Sequence, residues 1–200
     1  MSRLGVLILC MCSALFYGCG KKQPSVSSSL QTPSPAASQG VASSPDKNSL
    51  TITSSAFQPD QNIPLKYTCS GENVSPELTW KGIPGGAKAL ALILEDPDAP
   101  GGTFSHWVLF NLPPTVNSLE ENAGKARALP HDAIEGRNDF NEGGYGGPCP
   151  PPGKAHRYHF RLFALDSTLS LDNSATRSSV LKAIEGHVLA EGELTGLFSR

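Results

Sequence analysis

Residues 143–153 read GGYGGPCPPPG, with five glycines and four prolines. Each proline lacks an amide donor and fixes φ, so no helix or interior strand runs through this stretch. A stiff loop must therefore deliver the chain straight into HRYHFRLFAL at 156–165. That segment has the period of two that strands show. His156, Tyr158, Phe160, Leu162 and Ala164 share one face, while Arg157, His159 and Arg161 take the other, with Phe163 and Leu165 beyond.

The same punctuation recurs upstream. ALALILED at 89–96 is a run of small and branched apolar residues, the pattern of a buried central strand. DPDAPGG stops it, HWVLFNL at 106–112 resumes strand character, and LPP at 112–114 ends it again. A short strand is expected at 50–53, a first long strand over IPLKYT at 63–68, and another over SPELTW at 75–80 before the turn chemistry of KGIPGG. Residues 115–140 are polar and weakly patterned, which predicts loop and short edge elements. One helix is expected over 174–191, with Val180, Leu181, Ile184 and Val188 on one stripe, Ser174 as its cap and Gly186 tolerated inside it. The fold class is mainly β, with a covering helix.

The N-terminal quarter is different material. Residues 4–18 are nearly all apolar or small and follow Arg3, the layout of a secretory signal. The run is too short for the roughly 20 residues of a membrane-spanning helix. Gly18 directly before Cys19 fits a bacterial lipoprotein cleavage box, although Phe16 stands where that box usually has Leu. On this reading residues 1–18 are removed and Cys19 carries lipid. An ordinary signal peptide cut nearby is the plainer alternative. Residues 20–49 are rich in Ser and Pro, too poor in apolar side chains to repay the entropy of ordering, and read as a tether between the lipid and a domain at 50–200.

The 200 residues carry a formal charge of −2, with no basic tail or arginine run, so nucleic acid is not an expected partner. Of five cysteines, Cys10 and Cys12 lie in the leader and Cys19 is the lipidation candidate. Cys69 and Cys149 remain in the domain, as one disulfide of an exported protein or as two buried thiols.

Three segments bear unusual chemistry: DPDAP at 96–100, His106–Trp107, and the stretch from Gly146 to Tyr158. Each sets a polar group beside proline or glycine at a strand end. If the strands are neighbours, Asp96, His106, His156 and Tyr158 meet at one rim. Two imidazoles and a phenol are donors, and Gly146 and Gly147 let backbone amides approach a ligand. A carboxylate such as Asp96 holds a histidine in its charged form or accepts from an ethanolamine or hydroxyl. This is a site for a phosphate-like anion. The plainer reading makes the histidines satisfied structural residues, the aspartates turn caps, and Tyr158 core with a wet tip.

Other chemistries fit less well. Asp96, His106 and His156 lack the short-spaced pair that marks most metal sites, so no metal or other cofactor is expected. GxSxG and the glycine-rich nucleotide loops are absent. A Cys149–His156 nucleophile pair is conceivable, but a cysteine between two prolines reads first as architecture.

TCSGENVSPELTW at 68–80, LALILEDPDAPGGTFSHWVLFNLP at 90–113, GRNDFNEGGYGGPCPPPGKAHRYHFRLFALD at 136–166 and ELTGLF at 193–198 together span the domain. In this order and at these separations they resemble the phosphatidylethanolamine-binding proteins, specifically the bacterial Raf kinase inhibitor-like branch. The resemblance implies two antiparallel sheets with a small pocket at one edge. It places the pocket residues on Asp96, Asp98, His106, Gly147, Pro148, Pro150, His156 and Tyr158. It implies binding of phosphate-like anions, including phospholipid headgroups, and in some eukaryotic members inhibition of kinases or proteases. Ala155 stands where bacterial relatives often have a further histidine. Cys69 and Cys149 fall in segments flanking the family's pocket, and their pairing is expected on that ground.

The leading expectation is a non-catalytic binding module on the outer side of a bacterial membrane, holding an anion or headgroup. The alternatives are an inhibitor of an envelope enzyme, acting by protein contact, and a hydrolase of a phosphorylated or esterified small molecule.

Overall fold

The computed structural model describes residues 50–125 and 127–200. The expected leader, Cys19 and the Ser/Pro tether lie outside the described residues.

The organising element is β3 (Ala89–Asp96), every residue of which is buried. A strand with no wet side needs cover on both faces and pairing on both edges. It pairs antiparallel with β4 (Phe104–Leu112) on one edge and β7 (His156–Leu165) on the other. With β6 (Ile134–Glu135) and β8 (Val188–Phe198) these form a five-stranded sheet of order β6-β4-β3-β7-β8. A three-stranded sheet, β1-β2-β5, is built from β1 (Thr51–Thr53), β2 (Leu78–Lys81) and β5 (Ser118–Leu119). The strand pairs of both sheets are antiparallel.

Alternation along β3 and β7 splits the apolar residues between two cores. Leu90, Leu92 and Leu94 join Tyr158, Phe160 and Leu162 on the face toward the small sheet, where Ile52, Leu78 and Trp80 meet them. Ala91, Ile93, Phe163 and Leu165 face the opposite way and bury Val180 and Ile184 of α1 (Arg177–Ile184).

Three expectations are corrected. IPLKYT is not a strand: Leu65–Tyr67 form a 3-10 turn entered through Pro64, and only Asn62 bridges to Leu197. The helix is shorter than expected and is capped by Thr176, whose side chain accepts from the Ser179 amide, rather than by Ser174. Gly186, at φ +79°, lies beyond its end in the left-handed region that favours glycine. Val188 then opens β8, an eleven-residue strand whose inward positions are Ala190, Gly192, Leu194, Gly196 and Phe198. Two of those positions are glycine for a reason. A Cβ on Gly192 would come within 2.3 Å of the Leu50 carbonyl oxygen, and one on Gly196 within 2.5 Å of Ile63.

Candidate functional site

The C-terminal end of β3 lies between the N-terminal ends of β4 and β7, so Asp96, His106 and His156 arrive at one corner of the large sheet. His106 gets there through an irregularity. Leu94 pairs with Trp107 and Glu95 with Ser105, which leaves His106 as the extra residue of a β-bulge. Without the bulge His106 and Trp107 would face opposite sides. With it, Trp107 plugs the inter-sheet core while His106 also turns to that side and stacks edge-on against Tyr158, ring centroids 5.3 Å apart.

These side chains border a cavity of about 210 Å³. That is below the roughly 300–1,000 Å³ of drug-sized pockets and suits a group of a few heavy atoms. Its polar groups are Asp96, His106 and His156. Phe104 and Phe140 line one side, Ala99 and Pro100 another, and Cys149, Pro150 and Pro151 the wall beyond.

The polar groups are held rather than free. The His106 ring donates from Nδ1 to the Gly146 carbonyl at 2.9 Å, and the Gly146 amide donates back to the His106 carbonyl at 2.9 Å. The His156 Nδ1–H donates to Asp96 Oδ2 at 2.7 Å, and Asp96 Oδ1 accepts from the Asp98 amide at 2.8 Å. All three residues are buried. Burial pushes His106 below the usual imidazole range, against the Gly146 carbonyl and the Asp96 carboxylate that favour its charged form.

The wall is fixed by what lies behind it. The Gly147 amide donates to Asn73 Oδ1 at 2.7 Å, the Cys69 amide to the Pro148 carbonyl at 3.1 Å, and the Tyr145 hydroxyl to the Tyr67 carbonyl at 2.7 Å. Cys69 and Cys149 form a disulfide, with Cα atoms 5.4 Å apart. The pairing expected from the family resemblance is thus present, and the Cys149–His156 nucleophile pair has no thiol to work with.

Several expected pocket residues stand elsewhere. Asp98 turns to Arg157, accepting from its amide, Nε and Nη2 at 2.7–2.9 Å, and this pins the DPDAP turn to the start of β7. Those bonds hold the Asp98 carboxyl well below the usual carboxylate range. Gly147 and Pro148 brace the wall from behind. The amides of Gly146 and Gly147 are already bonded to protein and do not face the cavity. Tyr158 is fully buried under His106, and its hydroxyl makes no hydrogen bond of normal geometry, though it lies near Asp96 and the Cys149 backbone. Burial above all raises its pKa, so it stays a phenol.

The aromatic side of the cavity was missed in the sequence. Phe104 shares the period of two with His106 and was open to detection. Phe140, 40 % exposed and stacked edge-on to Phe104 with centroids 4.8 Å apart, comes from a loop with no pattern to reveal it. Among the described residues no group of three or more His, Cys, Asp or Glu is arranged to hold a metal ion.

The family model for phosphatidylethanolamine-binding protein matches residues 53–199. A UPF0098 protein of Methanothermobacter thermautotrophicus is 52 % identical over 151 residues, which cover 76 % of this chain and 99 % of that protein. Two solved structures are similar. One is a putative phosphatidylethanolamine-binding protein homologue from Chlamydia trachomatis, with TM-score 0.70 and 39 % identity, covering 76 % of this chain and 99 % of the other. The second is E. coli YbcL, described as a member of the mammalian family, with TM-score 0.72 and 35 % identity over 76 % of this chain and 98 % of the other. With a family model matching residues 53–199 and a relative 52 % identical over 151 residues, the chain belongs to the phosphatidylethanolamine-binding protein family.

Proposed function

We propose that this protein is a non-catalytic binding module that holds a phosphate-like anion or phospholipid headgroup at the corner cavity, displayed from a membrane by lipid on Cys19. The observation that carries the reading is the convergence of His106 and His156 on one small cavity, each with Nδ1 tied to a fixed acceptor, so that Nε2 is the ring atom left for a ligand. The wall is preformed by prolines and by hydrogen bonds behind it, which lowers the ordering cost of binding. No group in the cavity is set up as a nucleophile, which favours binding over hydrolysis. The anchor reading is supported by the apolar run at 4–18 ending in Gly18–Cys19, and the tether gives the domain reach.

The pocket is tested by titrating the full chain with inorganic phosphate and with phosphoethanolamine, beside H106A/H156A. Saturable binding to wild type, lost in the double variant, is expected. Equal binding to both proteins would remove the cavity from the account. The anchor is tested by the intact mass of protein extracted from its own cells. A lipid-bearing N-terminal Cys19 is expected, and an unmodified mature chain would contradict it.

A further inference from the structure

A second cavity, of about 430 Å³, is lined by Glu135, Arg137, Gly143, Asn173 and Ser174 and shares no lining residue with the histidine corner. The end of β6 delivers both of its charges. Glu135 is the last residue of that strand, and Arg137 continues its line through bridges to Gly143 and Thr176. Gly136 between them packs inward, where a Cβ would come within 2.3 Å of the Ala175 carbonyl oxygen. Side chains two residues apart on an extended chain share one side of it.

An acid and a base so placed would be expected to pair, yet among the described residues neither forms an ion pair. Each is held by bonds of its own. Glu135 Oε1 accepts from Trp107 Nε1 at 2.9 Å. The same carboxylate lies against Gly124 and Gly144, where a Cβ would come within 2.3 and 3.3 Å of Oε1. Arg137 donates from Nη1 to Asn141 Oδ1 at 2.7 Å and to the Asn141 carbonyl at 3.2 Å. Satisfying the buried Trp107 indole accounts for one oxygen of Glu135. It does not account for an arginine tied to Asn141 rather than to the acid beside it.

Glu135 Oε2 and the Nε–Nη2 edge of Arg137 make no hydrogen bond among the described residues and border the same cavity. That edge is the fork that takes a planar carboxylate through two parallel bonds, and a carboxylate oxygen accepts from an ammonium. Asn173 is exposed and adds an amide that both donates and accepts. Opposite charges fixed apart need no rearrangement to receive a ligand that carries both.

We propose that this cavity is a second binding site, for a zwitterion with one carboxylate and one ammonium, as in a free amino acid or a short peptide. Arg137 takes the carboxylate and Glu135 the ammonium. The site does not depend on the histidine corner being an anion pocket.

The test is calorimetric titration of the full chain with L-glutamine, N-acetylglutamine and glutaminamide at pH 6.5, where a free α-amine is charged. Glutamine is expected to bind at least about tenfold tighter than either analogue, since each lacks one charge. Glu135→Gln keeps an acceptor for Trp107 and Arg137→Gln keeps a donor for Asn141, and each should weaken glutamine at least about tenfold. Gly143→Leu places a side chain at the cavity where a Cβ meets nothing within 4 Å, so it should block glutamine without moving the urea midpoint. H106A/H156A should bind glutamine as wild type does. No binding to wild type, equal binding of the three probes, or binding untouched by the Glu135, Arg137 and Gly143 variants would overturn the proposal and leave the corner pocket as it stands. Loss of glutamine in H106A/H156A would also overturn it, by moving the ligand to the corner. Alanyl-glutamine separates the sources. Tighter binding than glutamine supports the proposal with a peptide as the ligand, and binding no tighter supports it with a free amino acid.

Discussion

Removing the Cys69–Cys149 disulfide separates what stabilises the domain from what shapes the pocket. The two cysteines are 80 residues apart, so the bond closes a long loop in the unfolded chain. The chain-entropy relation assigns such a loop about 4.5 kcal/mol, and native disulfides commonly deliver about 2–4. With a urea slope of roughly 2 kcal/mol/M for a domain of this size, the midpoint of unfolding of C69S/C149S should fall by about 1–2 M. The pocket should respond much less. Cys149 lines it, but the wall is also held by hydrogen bonds from Cys69, Gly147 and Tyr145 that do not depend on the sulfur atoms. Urea unfolding of the full chain, followed by tryptophan fluorescence, gives the first quantity. Phosphate titration of the folded variant gives the second, and the affinity loss should stay within about threefold, less than 1 kcal/mol. A midpoint shift below about 0.3 M would refute the unfolded-state argument, since about 0.6 kcal/mol at that slope is far below the loop-closure value. An affinity loss beyond tenfold would show that the disulfide, not the backbone bonds, positions the wall.

Gly147→Ala should destabilise by about 1–3 kcal/mol, because the added Cβ would lie 2.5 Å from the Tyr67 carbonyl oxygen and 2.9 Å from Thr68 Cα, and backbone does not yield cheaply; a loss under about 0.5 kcal/mol in urea unfolding would contradict the close packing. Tyr158→Phe removes a buried hydroxyl that makes no hydrogen bond of normal geometry, so stability should stay within about 0.5 kcal/mol of wild type and phosphate affinity within about twofold; a larger loss of affinity would restore Tyr158 as a ligand donor. Asp98 is held low by Arg157, so its contribution is present above the unfolded carboxylate value of about 3.9 and is lost as pH falls through the lower folded value; D98N should flatten the acid limb of stability against pH below about 4. His106 is kept neutral by burial, so the empty protein should lose stability as pH falls below about 6.5, where the unfolded ring takes a proton the folded one resists. H106Q should reduce that slope between pH 7 and 5, and an unchanged slope would place the titration elsewhere.

Much of the architecture was legible because prolines and glycines delimit the strands. The ends of β3 and β7 fall where DPDAPGG and GGPCPPPG forbid continuation, and from those ends the convergence of Asp96, His106 and His156 follows. β8 was hidden because its alternation is broken at Gly192 and Gly196, where the neighbouring backbone and Ile63 leave no room for a Cβ. Its first residue, Val188, also fell on the stripe of the helix before it, and the left-handed Gly186 was read as tolerated rather than terminal. The bulge at His106 left no trace in residue types, since it is a property of the register with β3. Four of the expected site residues stand behind or beside the cavity for a related reason. Asp98, Gly147, Pro148 and Tyr158 belong to the same motifs as the cavity residues, but in sequence a residue that lines a cavity looks the same as one that braces it. What separates them is where each hydrogen bond goes: Asp98 to Arg157, and the Gly147 amide to Asn73.

The most direct measurement is native mass spectrometry of the full chain, purified from its own cells in parallel with H106A/H156A. The account predicts a small phosphate-bearing adduct on wild type that is absent from the double variant. Wild type that stays bare even when inorganic phosphate or phosphoethanolamine is added in excess, or an adduct carried equally by both proteins, would contradict the central claim that the histidine corner is where this protein binds.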